Sequence, residues 1–184
     1  MSVCRTCLEE ITLGFRKQKE WADKAFVQVR ADGDFFRKPG EFSNSIAAVI
    51  KHVAGNLASR WRDFLTSDGE KPDRNRDAEF VIGEQDTRAN LVAAWERGWS
   101  TLFDTLASLT DADLQKTVRI RGEEHSVHQA LLRSLTHVAY HTGQIVYLSR
   151  LIQKDGWEWI TIPPGESRHY NEAMRAQKGK KYLA

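Results

Sequence analysis

The chain has 184 residues, which suits one domain with a substantial hydrophobic core and does not require a second. Its 27 basic and 25 acidic residues are interspersed and give a net charge of +2, too small to indicate a nucleic-acid-binding protein. No apolar run approaches the ~20 residues that span a bilayer, and the first residues do not resemble a signal peptide. We therefore expect a cytoplasmic protein with no membrane segment and no nucleic-acid partner.

The only two cysteines, Cys4 and Cys7, form a C-x-x-C pair near the start of the chain. A redox pair of this kind normally follows a strand at the start of a helix, and no strand is predicted before this one. Two cysteines cannot complete a structural zinc site by themselves. We interpret both as residues of the first helix, with a redox or metal role as the minor alternative.

Four long segments carry apolar residues at steps of three and four, the spacing of a helix with one buried face. Ser43 or Asn44 is the predicted cap of the second segment, and Asp86 or Thr87 that of the third. Gly98, in the middle of the third, would let a neighbouring helix approach closely. The predicted helices are 3–31, 44–66, 86–109 and 127–154.

The remaining segments are short or irregular in the prediction. Residues 117–121 favour an extended conformation and Gly122 a turn, so a small hairpin with residues 125–127 is expected. The aromatic and proline-containing tail, 157–184, is expected to be irregular and ordered by packing across the helices, with one or two helical turns at 171–177. Four long helices and one long loop predict an all-α, single-domain four-helix bundle over residues 1–184.

The fourth helix carries the strongest functional signal. Ser126 and Gln129 have the spacing of a capping box, and Gly156 marks the helix end. His137 and His141 are four residues apart, so their rings project one turn apart from the flank of the buried face. Such a pair often occurs by chance or only forms hydrogen bonds inside a core, so a metal site needs a third ligand.

His52 in the second helix is the candidate third ligand. It lies at the boundary of the buried face, where a side chain faces a cavity between helices. Three neutral imidazoles are a recurring way to hold Zn²⁺ with one position open, and Ni²⁺, Fe²⁺ or Mn²⁺ also fit nitrogen ligands. The four predicted bundle helices lack the Glu and Glu-x-x-His pattern of di-iron bundles, which favours a mononuclear site.

The segments IKHVAGNLASRW and THVAYHTGQI resemble the DinB/YfiT-like superfamily, and the similarity extends over nearly the whole chain. It is greatest to a DinB-like subfamily of unknown function, at residues 45–77, HVAYHTGQIVYL and the ITIPPGES tail. The resemblance implies an up-down-down-up bundle, a divalent metal on His52, His137 and His141, and a homodimer.

The resemblance also implies an activity. Some superfamily members resemble thiol-dependent transferases or isomerases that use bacillithiol, mycothiol or glutathione, which suggests a metal-dependent thiol S-transferase acting on small electrophiles. One alternative is a non-catalytic, stress-related dimer that binds metal or ligand, and another is a structural dimer with inert histidines. A metal-dependent hydrolase is a further alternative, with Glu123 or Glu124 as the base if their loop folds inward, because no Glu adjoins the ligands as in H-E-x-x-H.

Several residues are secondary candidates, and no catalytic residue is assigned. Asn56 and Gln144 lie on the ligand flank and would orient a bound water or substrate, unless they are merely polar residues at a helix boundary. His125 and His128, at the entrance of the fourth helix, and His169, in the tail, are weaker candidates for contact with the metal.

Overall fold

The protein is predominantly helical in the computed structural model, which describes residues 6–153 and 155–176. Within these residues there are six α-helices and one two-stranded sheet. The helices are α1 Cys7–Phe26, α2 Asp32–Phe36, α3 Ile46–Trp61, α4 Arg88–Ser108, α5 Val127–Ile152 and α6 Ser167–Ala176. The strands are β1 Thr117–Ile120 and β2 Glu123–Ser126, and single 3-10 turns occur at Asp77–Phe80 and Asp111–Gln115.

Side-chain caps begin the four long helices. The capping box predicted for α5 is confirmed, because the Ser126 side chain accepts from the Gln129 N–H and the Gln129 side chain accepts from the Ser126 N–H. Of the two caps predicted for α4, Asp86 and Thr87, it is Thr87 that caps the helix. Ser45, and not Ser43 or Asn44, caps α3, because its hydroxyl accepts from the Ala48 N–H at 3.1 Å.

Two helices are shorter than predicted. The first ends at Phe26, and the following residues form the separate short helix α2, whose Phe35 is fully buried against the Phe26 ring. The second ends at Trp61 and not at residue 66, because Asp63 adopts a φ of 49° that an α-helix cannot contain. Cys4 and Lys154 lie outside the described residues, and Cys7 begins α1.

The tail is more regular than predicted. α6 has ten residues, starts earlier than the one or two turns expected at 171–177, and buries none of its side chains. Before it, Trp157 and Ile160 pack partly buried against the core, and Arg150 lies over the Trp159 ring with its Cζ 4.2 Å from the centroid. The expectation that packing orders this part of the tail is therefore confirmed.

The core lies where α3 packs against α4 and where α5 packs against α1 and α3. The predicted role of Gly98 is confirmed, because a Cβ there would lie only 2.9 Å from the carbonyl oxygen of Ala54. Close contact between α3 and α4 thus fixes the position of α3, which carries His52. None of the helices within the described residues combines the length and apolarity needed to cross a bilayer.

The predicted hairpin is present, with Thr117 opposite Ser126 in an antiparallel pair. Its two turn residues, Arg121 and Gly122, have φ values of 57° and 78°, which suit a two-residue hairpin turn. The Asp68 carboxylate accepts hydrogen bonds from both turn N–H groups, at 2.8 and 2.7 Å. This contact places the hairpin beside the loop that follows α3.

Candidate metal centre and adjoining pocket

His52 of α3 and His137 and His141 of α5 converge at one point between the two helices. Each offers one ring nitrogen, and the three nitrogens lie within 4.8 Å of one another. The Nε2 atom of His137 is 3.2 Å from Nε2 of His52 and 3.2 Å from Nε2 of His141. His52 and His141 are buried and His137 is half-buried. The structure thus brings together the three residues that the sequence predicted as ligands.

The outer nitrogens of His52 and His141 have fixed partners. Nδ1 of His52 lies 2.7 Å from Oε2 of Glu79, and Nδ1 of His141 lies 2.8 Å from Oε1 of Gln144. A carboxylate and an amide oxygen only accept, so both rings carry their proton on Nδ1 and direct an Nε2 lone pair at His137. His137 can donate one proton from Nε2, which satisfies one of its two neighbours and not both.

A divalent metal resolves this shortage of protons, because all three Nε2 atoms can then donate a lone pair to it. At the usual Zn–N distance and a tetrahedral angle, two ligand nitrogens are separated by about 3.3 Å. The two separations from His137 Nε2, 3.2 Å each, are close to that value, and the three ring nitrogens lie within 4.8 Å of one another. The donor set, its spacing and its tautomers therefore fit a mononuclear site for a metal that accepts nitrogen ligands.

Two of the histidines are held in the neutral form that a metal requires. The pKa of His137 is lowered to about 3, mainly by burial and in addition by the neighbouring His141 and His52. Burial also lowers the pKa of His141 to about 4, although the hydrogen bond to Gln144 acts in the opposite direction. At neutral pH both imidazoles are therefore neutral, with one ring nitrogen free of a proton, so a metal does not have to compete with the imidazolium form.

Glu79 contacts the histidine cluster, and the sequence did not reveal it. Burial alone would raise the pKa of this carboxyl, but hydrogen bonds from His52 and Arg74 lower it below its usual range. Arg74 donates to both Glu79 oxygens, from Nε at 2.8 Å and from Nη2 at 2.9 Å. Gly55 of α3 leaves the space that Glu79 occupies, since a Cβ there would lie 2.9 Å from the Glu79 Cδ. Glu79 was missed because it lies in a polar loop with no helical periodicity before it.

A pocket of about 210 Å³ adjoins the histidines. His52 and His137 form one part of its wall, and the buried side chains of Asn56 and Ser134 form another. The remaining lining residues are five arginines: Arg60, Arg74, Arg76, Arg121 and Arg133. The pocket therefore joins the candidate metal site to a strongly basic wall.

Of the secondary candidate residues, two lie at the site and the others do not belong to the histidine cluster. Gln144 contacts His141 directly, so it orients a candidate ligand and not a substrate. Asn56 lines the pocket, as its predicted position on the ligand flank allows. The other histidines and the two loop glutamates are not in the cluster: His125, His128, His169, Glu123 and Glu124.

The histidines and glutamates outside the cluster have other contacts or are exposed. His128 Nε2 lies 3.8 Å from Cys7 Sγ, and His125 Nε2 lies 3.3 Å from Nη1 of Arg133. Glu123 and Glu124 belong to β2 and are exposed, so the inward-folded loop that a hydrolytic base would require is not present.

A family profile described as "Protein of unknown function (DUF1572)" matches residues 2–166 of the chain. No curated protein and no solved structure matches the chain in the two other comparisons.

Proposed function

The chain belongs to the DUF1572 family of proteins of unknown function, and we propose that it binds one divalent metal through His52, His137 and His141. The observation that supports this most strongly is the position of His137 Nε2, which lies 3.2 Å from Nε2 of both His52 and His141 and has at most one proton to donate to them. Zn²⁺ is the first choice for three imidazoles, and Ni²⁺, Fe²⁺ and Mn²⁺ also accept such ligands.

We further propose that the chain is one domain of the DinB/YfiT-like superfamily with an up-down-down-up four-helix bundle. The four longest helices, α1, α3, α4 and α5, support this arrangement, since each packs against at least one of the others. The two helices that would supply ligands in such a bundle, α3 and α5, are also in contact.

For the activity, we propose metal-dependent thiol S-transfer to a small electrophile. A metal bound at the three histidines would lower the pKa of a thiol and so supply a thiolate at neutral pH. The thiol sulfur forms a bond to an electrophilic carbon, the leaving group departs with the bonding electron pair, and the thiol proton passes to water. Glu79 and Gln144 hold the two outer imidazoles in place, and Asn56 and Ser134 offer hydrogen bonds to the bound molecules.

Elemental mass spectrometry of the purified protein tests the metal site. We expect close to one equivalent of metal in the parent and its loss in a His52→Ala/His137→Ala/His141→Ala variant. A His128→Ala/His169→Ala variant is the matched control, because it removes two histidines outside the cluster. A parent that contains no metal after reloading with Zn²⁺, Ni²⁺, Fe²⁺ and Mn²⁺ would refute the metal site.

Thiol consumption by the fully metallated protein tests the activity. Bacillithiol, mycothiol and glutathione are each offered with a chlorinated aromatic compound, and the remaining thiol is measured. Loss of at least one thiol with the parent and not with the triple histidine variant is the expected result. If none is consumed while the metal is retained, the thiol S-transferase proposal loses its support and the metal site stands without it.

We also propose a homodimer, as the resemblance implies. Large apolar and aromatic side chains that are 45–68% exposed follow one side of α5, and a second copy would cover them: Leu132, Tyr140, Tyr147 and Leu151. Analytical ultracentrifugation of the parent and of a Tyr140→Ser/Tyr147→Ser variant tests this proposal. A parent that sediments as a monomer contradicts it.

A further inference from the structure

Arg60 is a buried cation that forms no ion pair with a described residue. Its residue is only 7% exposed, and its guanidinium forms no hydrogen bond or ion pair with any described residue. Burial and the nearby charge of Arg133 lower its pKa to about 10, although the charge of Glu70 acts in the opposite direction, and the group remains protonated at neutral pH. A buried charge with no partner is unfavourable, and proteins usually match it with an opposite charge. Among the described residues no carboxylate forms an ion pair with Arg60, so a bound anion would supply the matching charge.

The neighbouring acids are already paired with other arginines. Glu70 lies 3.0 Å from Arg74 Nη1 and 3.4 Å from Arg121 Nη2, and Glu79 is bonded to Arg74 and His52. These carboxylates therefore neutralise Arg74 and part of Arg121, and neither forms an ion pair with Arg60.

The two other arginines of the pocket wall, Arg76 and Arg133, form only weak ion pairs with exposed carboxylates. Arg76 lies 3.6 Å from Asp77, a side chain that is 95% exposed, and Arg133 lies 3.9 Å from Glu123, which is 71% exposed. Ion pairs between solvated side chains contribute little, so they do not cancel the positive charge of the pocket.

The buried neutral groups of the pocket also lack protein partners. Asn56 is 8% exposed and Ser134 is 3% exposed, and the side chain of neither forms a hydrogen bond with a described residue. His52, Asn56 and Arg60 are spaced four residues apart on α3, so they form one row along the helix from the candidate metal site to the buried cation. Ser134 faces this row from α5.

We propose that this pocket binds a small organic anion whose carboxylate or phosphate group contacts Arg60, with Asn56 and Ser134 as its neutral hydrogen-bond partners. The pocket is smaller than the 300–1,000 Å³ usual for drug-sized ligands, so the molecule is compact. The far end of the same molecule lies beside His52 and His137. The position of that far end rests on the proposed metal site. The anion site itself depends only on Asn56 and Arg60 of α3 and on Ser134 of α5.

The test uses the thermal unfolding temperature of the full-length protein, with and without metal. Inorganic phosphate and acetate are the two anionic probes, acetamide is the neutral analogue of acetate, and sodium chloride at equal ionic strength controls for screening. We expect phosphate or acetate to raise the unfolding temperature of the parent in a saturable way. Acetamide and sodium chloride should not raise it in this way. The probe with the larger effect identifies the anionic group.

Arg60→Met keeps the length of the side chain and removes its charge. It should reduce the affinity for the effective anion at least tenfold without lowering the unfolding temperature of the anion-free protein, because an unpaired buried charge has been removed. Arg62→Met is the matched control, since Arg62 is exposed, pairs with Asp73 and does not line this pocket. Its response to anions should equal that of the parent.

Two results would overturn the anion site: sodium chloride as effective as phosphate and acetate, or an Arg60→Met variant with an unchanged anion response. Metal content measured on the same samples separates this inference from the proposed function. Retained metal with no anion response refutes the anion site alone, and an anion response in a protein that never binds metal refutes the metal site alone.

Discussion

The Oε2 atom of Glu79 lies 2.7 Å from Nδ1 of His52, and this contact determines which nitrogen of His52 faces the other two histidines. The carboxylate accepts the Nδ1 proton, which leaves the Nε2 lone pair directed at the cluster. Gln144 has the same effect on His141 from the other side. The two outer rings are therefore oriented by side chains that do not themselves belong to the cluster.

Glu79→Gln should weaken metal binding by about tenfold or more, as is typical when the hydrogen-bond partner of a ligand is changed. The amide keeps an acceptor for His52 but loses the charge that strengthens the contact and pairs with Arg74. Competition with a chromogenic chelator measures the affinity. Asp77→Asn is the control from the same turn, because Asp77 is exposed and its one ion pair with a described residue is to Arg76. Equal affinities of the two variants would contradict the proposed role of Glu79.

Gly55→Ala should also lower the metal affinity, although Gly55 contacts neither the cluster nor the pocket beside it. The new Cβ would occupy the position of the Glu79 carboxylate and push it away from His52. Gly143→Ala is the control, since a Cβ at this position of α5 meets nothing within 4 Å. The same chelator competition should show a loss for the first variant and none for the second.

Folding stability of the metal-free protein should decrease as the pH falls below about 6.5, the ordinary pKa of histidine. In the folded state burial lowers the pKa of His137 to about 3 and that of His141 to about 4. Between these values and about 6.5 the unfolded chain binds more protons than the folded protein, so a lower pH favours unfolding. The free energy of unfolding is therefore reduced throughout this range and reaches its full value only above about pH 6.5.

Urea unfolding with a chelator present, at pH 7.5, 6.0 and 5.0, measures this effect. A His137→Gln/His141→Gln variant cannot take up these protons, so its midpoint should fall less between pH 7.5 and 5.0 than that of the parent. The same fall in both proteins would show that the two histidines are not responsible.

Gly98→Ala should destabilise the fold by about 1 kcal/mol or more, even though alanine is the better helix former. The cause is the approach of the Cβ to the Ala54 carbonyl at 2.9 Å, because that atom is backbone and can move only with α3. Thermal or urea unfolding measures the change. Gly33→Ala in α2 is the control, since its Cβ would meet nothing within 4 Å. A Gly98→Ala variant as stable as this control would be inconsistent with the close packing.

Helical periodicity predicted the four long helices because their apolar faces are continuous in sequence. The position of His52, His137 and His141 on helix flanks indicated their convergence, and the family resemblance strengthened that prediction. Glu79 could not be predicted, because it reaches His52 through a loop whose path depends on tertiary contacts. Arg60 was also missed, since an arginine at the polar end of an amphipathic helix normally extends into solvent. The helix α6 was underestimated because its residues bury no apolar face.

The hydrogen bonds from Arg121 and Gly122 to Asp68 have a kinetic consequence. They join the loop after α3 to the turn of the hairpin, and a backbone hydrogen bond from Gly69 to Arg119 closes the same junction. The backbone of Arg121, which lines the pocket, is therefore fixed at the junction between two segments that lie about fifty residues apart in the sequence. We therefore expect a molecule to enter beside this junction through rotation of the exposed Arg121 side chain, which takes picoseconds to nanoseconds, without opening of the junction.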